Sequence, residues 1–216
     1  MSNITAVIPI RKGSQRVKNK NTRPFAGSTL LEKKIETIKK LPLNNIIINT
    51  DCPVAIEIAK KNDIEVFMRE SYYASSECTG SEFHEYIAKV TNSDNILLAH
   101  VTEPLVTIKS YLECIDIFRS HDYDSIISAE VVKKFLWFQN KPINYEVRDT
   151  PSSQNLPEYL SPTFGISLAK RDAILETKHL ICNKPYFYIL DEIEAVDVDT
   201  DLDFEFAEFL FNKYRK

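Results

Sequence analysis

"NIIINTDCPVAIEIAKKNDIEVFM", residues 45–68, sets two apolar runs on either side of a segment with a different period. Residues 45–50 form a short β-branched run, the composition of a strand buried on both faces. Pro53 fits the first turn of a helix, so residues 53–62 are expected to be helical. Residues 64–68 return to strand. Two strands joined through a helix by such short connections form a βαβ unit, and its strands run parallel.

Outward from this unit the pattern repeats. Upstream, "ITAVIPI" (4–10) predicts a buried strand, and residues 29–41 a helix with Leu31, Ile35, Ile38 and Leu41 on one face. Downstream, 81–90 is helical with Phe83, Ile87 and Val90 on one side, 95–102 is a strand and 108–120 a helix. The fold class is α/β, a Rossmann-like, mostly parallel sheet flanked by helices. The second half is less regular. It predicts strands at 125–132, 163–169, 186–190 and 194–199, and a polar, proline-containing loop at 148–162. An antiparallel hairpin covers 135–147, with Asn140-Lys141-Pro142 near its turn, and a closing helix starts at Asp201. With no repeat or linker, residues 1–216 read as one domain, with 135–150 as an arm for packing on a second copy.

Composition excludes several classes. Of the 216 residues, 44% are hydrophobic and 27% charged, enough for a core and too apolar for disorder. The net charge of -4 gives no general attraction to nucleic acid or an anionic membrane. Cys52, Cys78, Cys114 and Cys182 lack zinc or C-x-x-C spacing and read as free thiols. No apolar run reaches the ~20 residues of a membrane span, and the first residues lack signal-peptide pattern. The expectation is a soluble, cytoplasmic protein.

Against that charge, Arg11, Lys12, Arg16, Lys18 and Lys20 follow directly on the first strand. Parallel sheets bind ligands at the carboxyl ends of their strands, so this loop has the position of an anion site. It is neither G-x-x-x-x-G-K-[ST] nor G-x-G-x-x-G. Gly13 allows close backbone approach, Ser14 adds a donor, and Arg11 and Lys20 neutralise phosphate charge. The competing reading is a solvated basic loop. In "EAVDVDTDLDFEF", alternation puts Val196 and Val198 on one face and Asp197 and Asp199 on the other. Paired carboxylates suit Mg2+, which takes one or two of them plus substrate phosphates; the competing reading is an acidic strand end, with Thr200, Asp201 or Asp203 capping the last helix. Asp51 reads equally as an N-cap or a ligand. The helix start near Thr79 and Ser81 reads as a cap or an anion site. Of His84, His100, His121 and His179, only His100 lies near a strand end.

The stretch "AVIPIRKGSQRVKNKNTRPFAGSTLLE" resembles the opening of the cytidylyltransferases that make CMP-activated acidic sugars, the acylneuraminate (CMP-sialic acid) synthetases and, more distantly, the CMP-Kdo synthetases. Arg11, Gly13, Ser14, Lys20 and Asn21 carry the match. "NTD" (49–51), Arg69 with "YASSECT", "TEPL" (102–105), "QNLP" (154–157) and "DVDTDLDFEFAE" (197–208) extend it over nearly the whole chain. The resemblance implies a nucleotide-diphospho-sugar transferase-like fold, CTP and an acidic sugar as substrates, Mg2+, and a homodimer. It implies that Arg11, Gly13, Ser14, Lys20, Arg69, Ala74, Cys78 and Thr79 bind CTP. It makes Lys20, Arg11 and Asp199 catalytic, Asp197 and Asp199 the metal carboxylates, and His100, Thr102 and Gln154 the acceptor side. Lys12, Gln15, Arg16 and Lys18 fall outside the match and read as solvated or acceptor-facing. The acceptor half departs from the family: the usual Gln is His100, and arginines that face the acidic sugar are replaced by Val106, Ser153 and Ser161. The alternatives are therefore the same transfer onto a Kdo-like sugar or a phosphate or phosphonate compound, or nucleotide binding without catalysis.

Overall fold

A computed structural model describes residues 3–14 and 16–215; Gln15, Lys216 and the first two residues lie outside them. Seven strands form one sheet: β1 (Ile4–Ile10), β2 (Asn45–Thr50), β3 (Glu65–Met68), β4 (Asn95–Leu98), β5 (Ser125–Val132), β6 (Tyr159–Lys170) and β7 (Pro185–Ile189). Their spatial order is β3-β2-β1-β4-β6-β5-β7. β1 pairs parallel with both β2 and β4, whereas β6 runs antiparallel between β4 and β5. The order reverses at β1/β4, which opens a crevice beyond Ile10 and Leu98.

The helices are α1 (Leu30–Ile38), α2 (Pro53–Lys61), α3 (Ser71–Ala74), α4 (Gly80–Val90), α5 (Ile108–Ser120), α6 (Arg171–Thr177) and α7 (Asp201–Tyr214). β1 is buried at six of its seven positions, as a parallel strand covered on both faces must be. One core cluster takes Ile8 and Ile10 of β1 with Leu31 and Ile35 of α1. The other, on the opposite face, takes Val7 with Tyr86 and Ile87 of α4.

Three expectations are corrected. Residues 194–199 are not a strand. The segment runs irregularly, tied by Val198 N–H donating to Thr102 C=O at 2.9 Å. Its alternation survives: Val198 is fully buried, Val196 half-buried, Asp197 and Asp199 turned outward. The loop expected over 148–162 ends earlier, because β6 starts at Tyr159 and pairs with Val132. β4 stops at Leu98 rather than at residue 102, which leaves His100 and Thr102 on the loop beyond it. The hairpin forms as a two-residue ribbon, Trp137–Phe138 with Lys141–Pro142. Its turn falls at Gln139-Asn140, whose φ of 47° and 61° meet the requirement of a type I′ turn.

Candidate active site

The cationic loop closes over the switch point. Gly13 has φ +77°, a left-handed conformation that glycine adopts without cost. Lys12 N–H donates to Asp51 Oδ1 at 2.7 Å, so Asp51 pins this loop. It does not cap α2, whose N-cap is Cys52 without a side-chain bond.

Opposite the loop stand the two carboxylates. Arg16 Nη1 meets Asp199 Oδ2 at 2.7 Å, and Lys20 Nζ lies 3.5 Å from Asp199 Oδ1 while donating to Val198 C=O at 2.5 Å. Lys20 is nearly enclosed, with 13% of its side chain exposed, while Arg16 is open at 68%. Desolvation, and then the charge of Asp199, push the Asp197 carboxyl upward, against a hydrogen bond from Thr102 and the charge of Lys20. The cleft wall costs that carboxyl hydration although the residue as a whole stays open to solvent. A cation at the pair relieves this strain, so the residues fit Mg2+. Among the described residues no group of three or more His, Cys, Asp or Glu gathers to hold a metal. The chain thus offers two carboxylates, and phosphate oxygens and water would complete the shell.

A cleft of about 350 Å3 lies on the cationic side of this pair, lined among others by Arg11, Ser14, Lys20, Asn21, Arg69 and His100. A second, of about 280 Å3, opens on the other side of Gly13 and shares Arg11, Ser14 and Asn21. Arg69 is buried beneath the first. Its Nε donates to Asn49 Oδ1 at 2.7 Å, its Nη2 to Asn49 C=O at 3.0 Å, and its guanidinium lies 4.6 Å from the Phe83 ring centroid. Burial lowers its pKa to about 10, partly offset by Asp51, so it stays charged at neutral pH. Asn21 Oδ1 is buried in this wall with no hydrogen-bond partner among the described residues, an acceptor open to a donor.

The remaining expected residues separate. Cys78 is close enough to Arg69 to feel its charge, although burial raises its thiol pKa. Ala74 ends α3. Thr79 caps α4: its hydroxyl accepts from Glu82 N–H, and Glu82 reaches back to Thr79 N–H. Gln154 is exposed on the 3-10 turn Ser153–Asn155 and lines neither cleft.

Sequence reasoning missed three parts. Arg16, read as solvated or acceptor-facing, pairs with Asp199. Phe83 backs Arg69. His84, read as facing a helix surface, packs edge-on against His179 at 5.4 Å with its Nδ1 buried. An i,i+1 pair of aromatics at 83–84, next to a helix start at the sheet's carboxyl edge, was the available signal.

A Rossmann-like sheet that sets cations against carboxylates across its switch point defines a nucleotidyltransferase. A family model described as cytidylyltransferase matches residues 5–213, and the chain belongs to that family. Its chemistry is CTP-dependent cytidylyl transfer to a sugar or related acceptor. The chain is 26% identical to the CMP-N,N'-diacetyllegionaminic acid synthase of Campylobacter jejuni, over 98% of this chain and 96% of that protein. It is 25% identical to post-translational flagellin modification protein B of Campylobacter coli, over 99% and 97%. An N-acylneuraminate cytidylyltransferase of Streptococcus agalactiae is 23% identical over 92% of this chain, which spans only 51% of that relative. In fold it is similar to a CMP:2-keto-3-deoxy-manno-octonic acid synthetase complexed with CTP, with TM-score 0.71, 16% identity, and 98% and 99% of the two chains covered. No helix among the described residues is long and apolar enough to cross a membrane.

Proposed function

We propose that the protein activates an acidic, nonulosonic-type sugar: a sugar hydroxyl attacks the α-phosphorus of CTP, the bond to the β-phosphate oxygen breaks, and pyrophosphate leaves. The observation that carries this is the cleft lined by Arg11, Arg16, Lys20 and Arg69, whose Arg16 and Lys20 also reach Asp199. The near full-length similarity to a CMP-N,N'-diacetyllegionaminic acid synthase supports the acidic acceptor.

Each residue then has a task. Arg11, Gly13 and Ser14 hold the triphosphate. Lys20, held between Val198 C=O and Asp199, offsets charge on the departing pyrophosphate. Arg69 faces the nucleoside from below, with Ala74, Cys78 and Thr79 on the segment beside it, and Thr102 and His100 stand on the acceptor side. Asp197 and Asp199 would hold Mg2+, which when bound would supply positive charge beside the reacting phosphate. A carboxylate oxygen of this pair that the metal does not engage takes the hydroxyl proton. Transfers of this kind depend mainly on positioning and electrostatics, which is what these residues offer.

The chain acts as a single domain and pairs into a homodimer through the 135–150 arm, in the cytoplasm. Phe135, Trp137, Phe138, Ile143 and Val147 leave apolar surface open there, which a second copy would cover. Incubation with CTP, Mg2+ and N-acetylneuraminic, N,N'-diacetyllegionaminic or 2-keto-3-deoxy-manno-octonic acid should release pyrophosphate with at least one sugar. Release with none of them refutes the acidic-sugar reading. Sedimentation of the wild type as a dimer, and of Phe138→Asp as a monomer, checks the arm.

A further inference from the structure

A cavity of about 320 Å3 opens beside the nucleotide cleft, shares His100 and Thr102 with it, and has Asp197 on its wall. A molecule seated there presents a hydroxyl to the carboxylate pair. Among its lining residues two are acidic, Glu103 and Asp197, and none is Lys or Arg. Three are histidines from three different elements: His84 of α4, His100 after β4 and His179 after α6.

We infer that this cavity seats the part of the acceptor remote from its carboxylate, and that His84 and His179 select that part by uncharged hydrogen bonds to N-acyl or hydroxyl groups. The inference rests on the acidic-sugar reading above. In such a sugar the carboxylate is attached to the carbon that bears the attacking hydroxyl, so it faces the cationic loop and leaves the far end to the histidines.

Four observations agree. His84 Nδ1 is buried and has no partner among the described residues, a cost that a ligand hydrogen bond removes. Ile181 N–H donates to His179 Nδ1 at 2.9 Å, which places that ring's proton on Nε2 and leaves it as the donor. Burial first, then neighbouring charge, lowers the pKa of both His84 and His100 to about 4, so neither offers a cation at neutral pH. The wall opposite is shaped to match. β6 breaks register with β5 between Pro162 and Ser167, and Phe164 adopts φ +62°, a conformation a bulky residue holds only under constraint. Ser128 Oγ bonds Thr163 Oγ1 at 2.8 Å and accepts from Ile166 N–H at 2.9 Å, which fixes the bulge with Thr163 and Phe164 on the cavity wall.

Steady-state kinetics of His84→Leu and His179→Leu test this, with N-acetylneuraminic, N,N'-diacetyllegionaminic and 2-keto-3-deoxy-manno-octonic acids as probes. Each variant should raise KM for a turned-over sugar about tenfold, one hydrogen bond's worth, with KM for CTP unchanged. His84→Asn, which retains a hydrogen-bonding side chain, should recover most of the loss. Unmoved sugar KM in both variants, or a matching rise in KM for CTP, overturns the cavity assignment alone. Wild-type protein that binds CTP but turns over none of the three sugars overturns the acidic-sugar reading, and this inference with it.

Discussion

Lys20 is the cation most committed to the cleft. Arg16 also meets Asp199, but from solvent, where an ion pair contributes about 0–1 kcal/mol. The two substitutions should therefore diverge. Lys20→Ala should lower kcat by about 10^2-fold or more, the usual cost of removing one preorganised charge from a transition state, with CTP turnover as the measure. Arg16→Ala should leave the melting temperature unchanged, and a clear loss of stability would show that its pair with Asp199 is structural. Gly165 makes a different demand. A Cβ there would lie 3.0 Å from Val106 Cγ2 and 3.2 Å from Glu103 Cβ and Cδ, while Gly165 C=O accepts from the buried Tyr111 hydroxyl at 2.8 Å. Gly165→Ala should cost about 1–3 kcal/mol, measured by urea unfolding. Tolerance of alanine would mean that the wall between β6 and Glu103 yields.

Capping decides where the site-bearing helices begin. α4 and α7 each start with a complete capping box, Thr79 with Glu82 and Thr200 with Asp203. α4 carries both Phe83 and His84, so its first turn sets the floor under Arg69 and one wall of the histidine cavity. Thr79→Ala should destabilise the protein by about 1 kcal/mol and raise hydrogen exchange at the first turn of α4; unchanged exchange there would place Thr79's main role with the nucleotide. Elements of this kind were legible in the sequence because local signals fix them. α5 begins at Ile108 as expected, Pro53 opens α2, and the β-branched runs of β1 and β2 form strands, β1 buried at six of seven positions and β2 over its last three residues. The misread ones depend on tertiary pairing. β6 gains Tyr159–Pro162 only because Val132–Ala129 of β5 lie alongside. Residues 194–199 alternate like a strand, but they pair with the irregular loop at Thr102 and so never join the sheet.

At the scale of the molecule, the two halves of the candidate site differ in how far the sequence could suggest them. The nucleotide side lies on a contiguous loop, so Arg11, Gly13, Ser14 and Lys20 could be read together. The proposed acceptor side draws on α4, the loop after β4, β6 and the loop after α6, and no spacing links His84 to His179. Burying that side has a consequence for the whole fold. His84 and His100 have pKa values lowered from 6.5 to about 4, so between those pH values the unfolded chain binds more protons than the folded one. Stability must then fall as pH drops from 6.5 to 4, by up to about 1.4 kcal/mol per pH unit for each imidazole. Glu103 works in the opposite direction. Burial and Asp197 raise its pKa, so above 4.5 the folded state holds a proton that the unfolded state releases, and this removes about one imidazole's share of the slope. The net expectation between pH 4.5 and 6.5 is a slope with the sign set by the two imidazoles, reduced by Glu103 and by the raised carboxyl of Asp197, with lower stability on the acid side. Urea midpoints measured across that range without Mg2+ should show it, and His100→Gln should flatten the profile. A wild-type profile that is flat or rises toward acid would mean that the histidine cavity is open to water and its imidazoles titrate as free ones do.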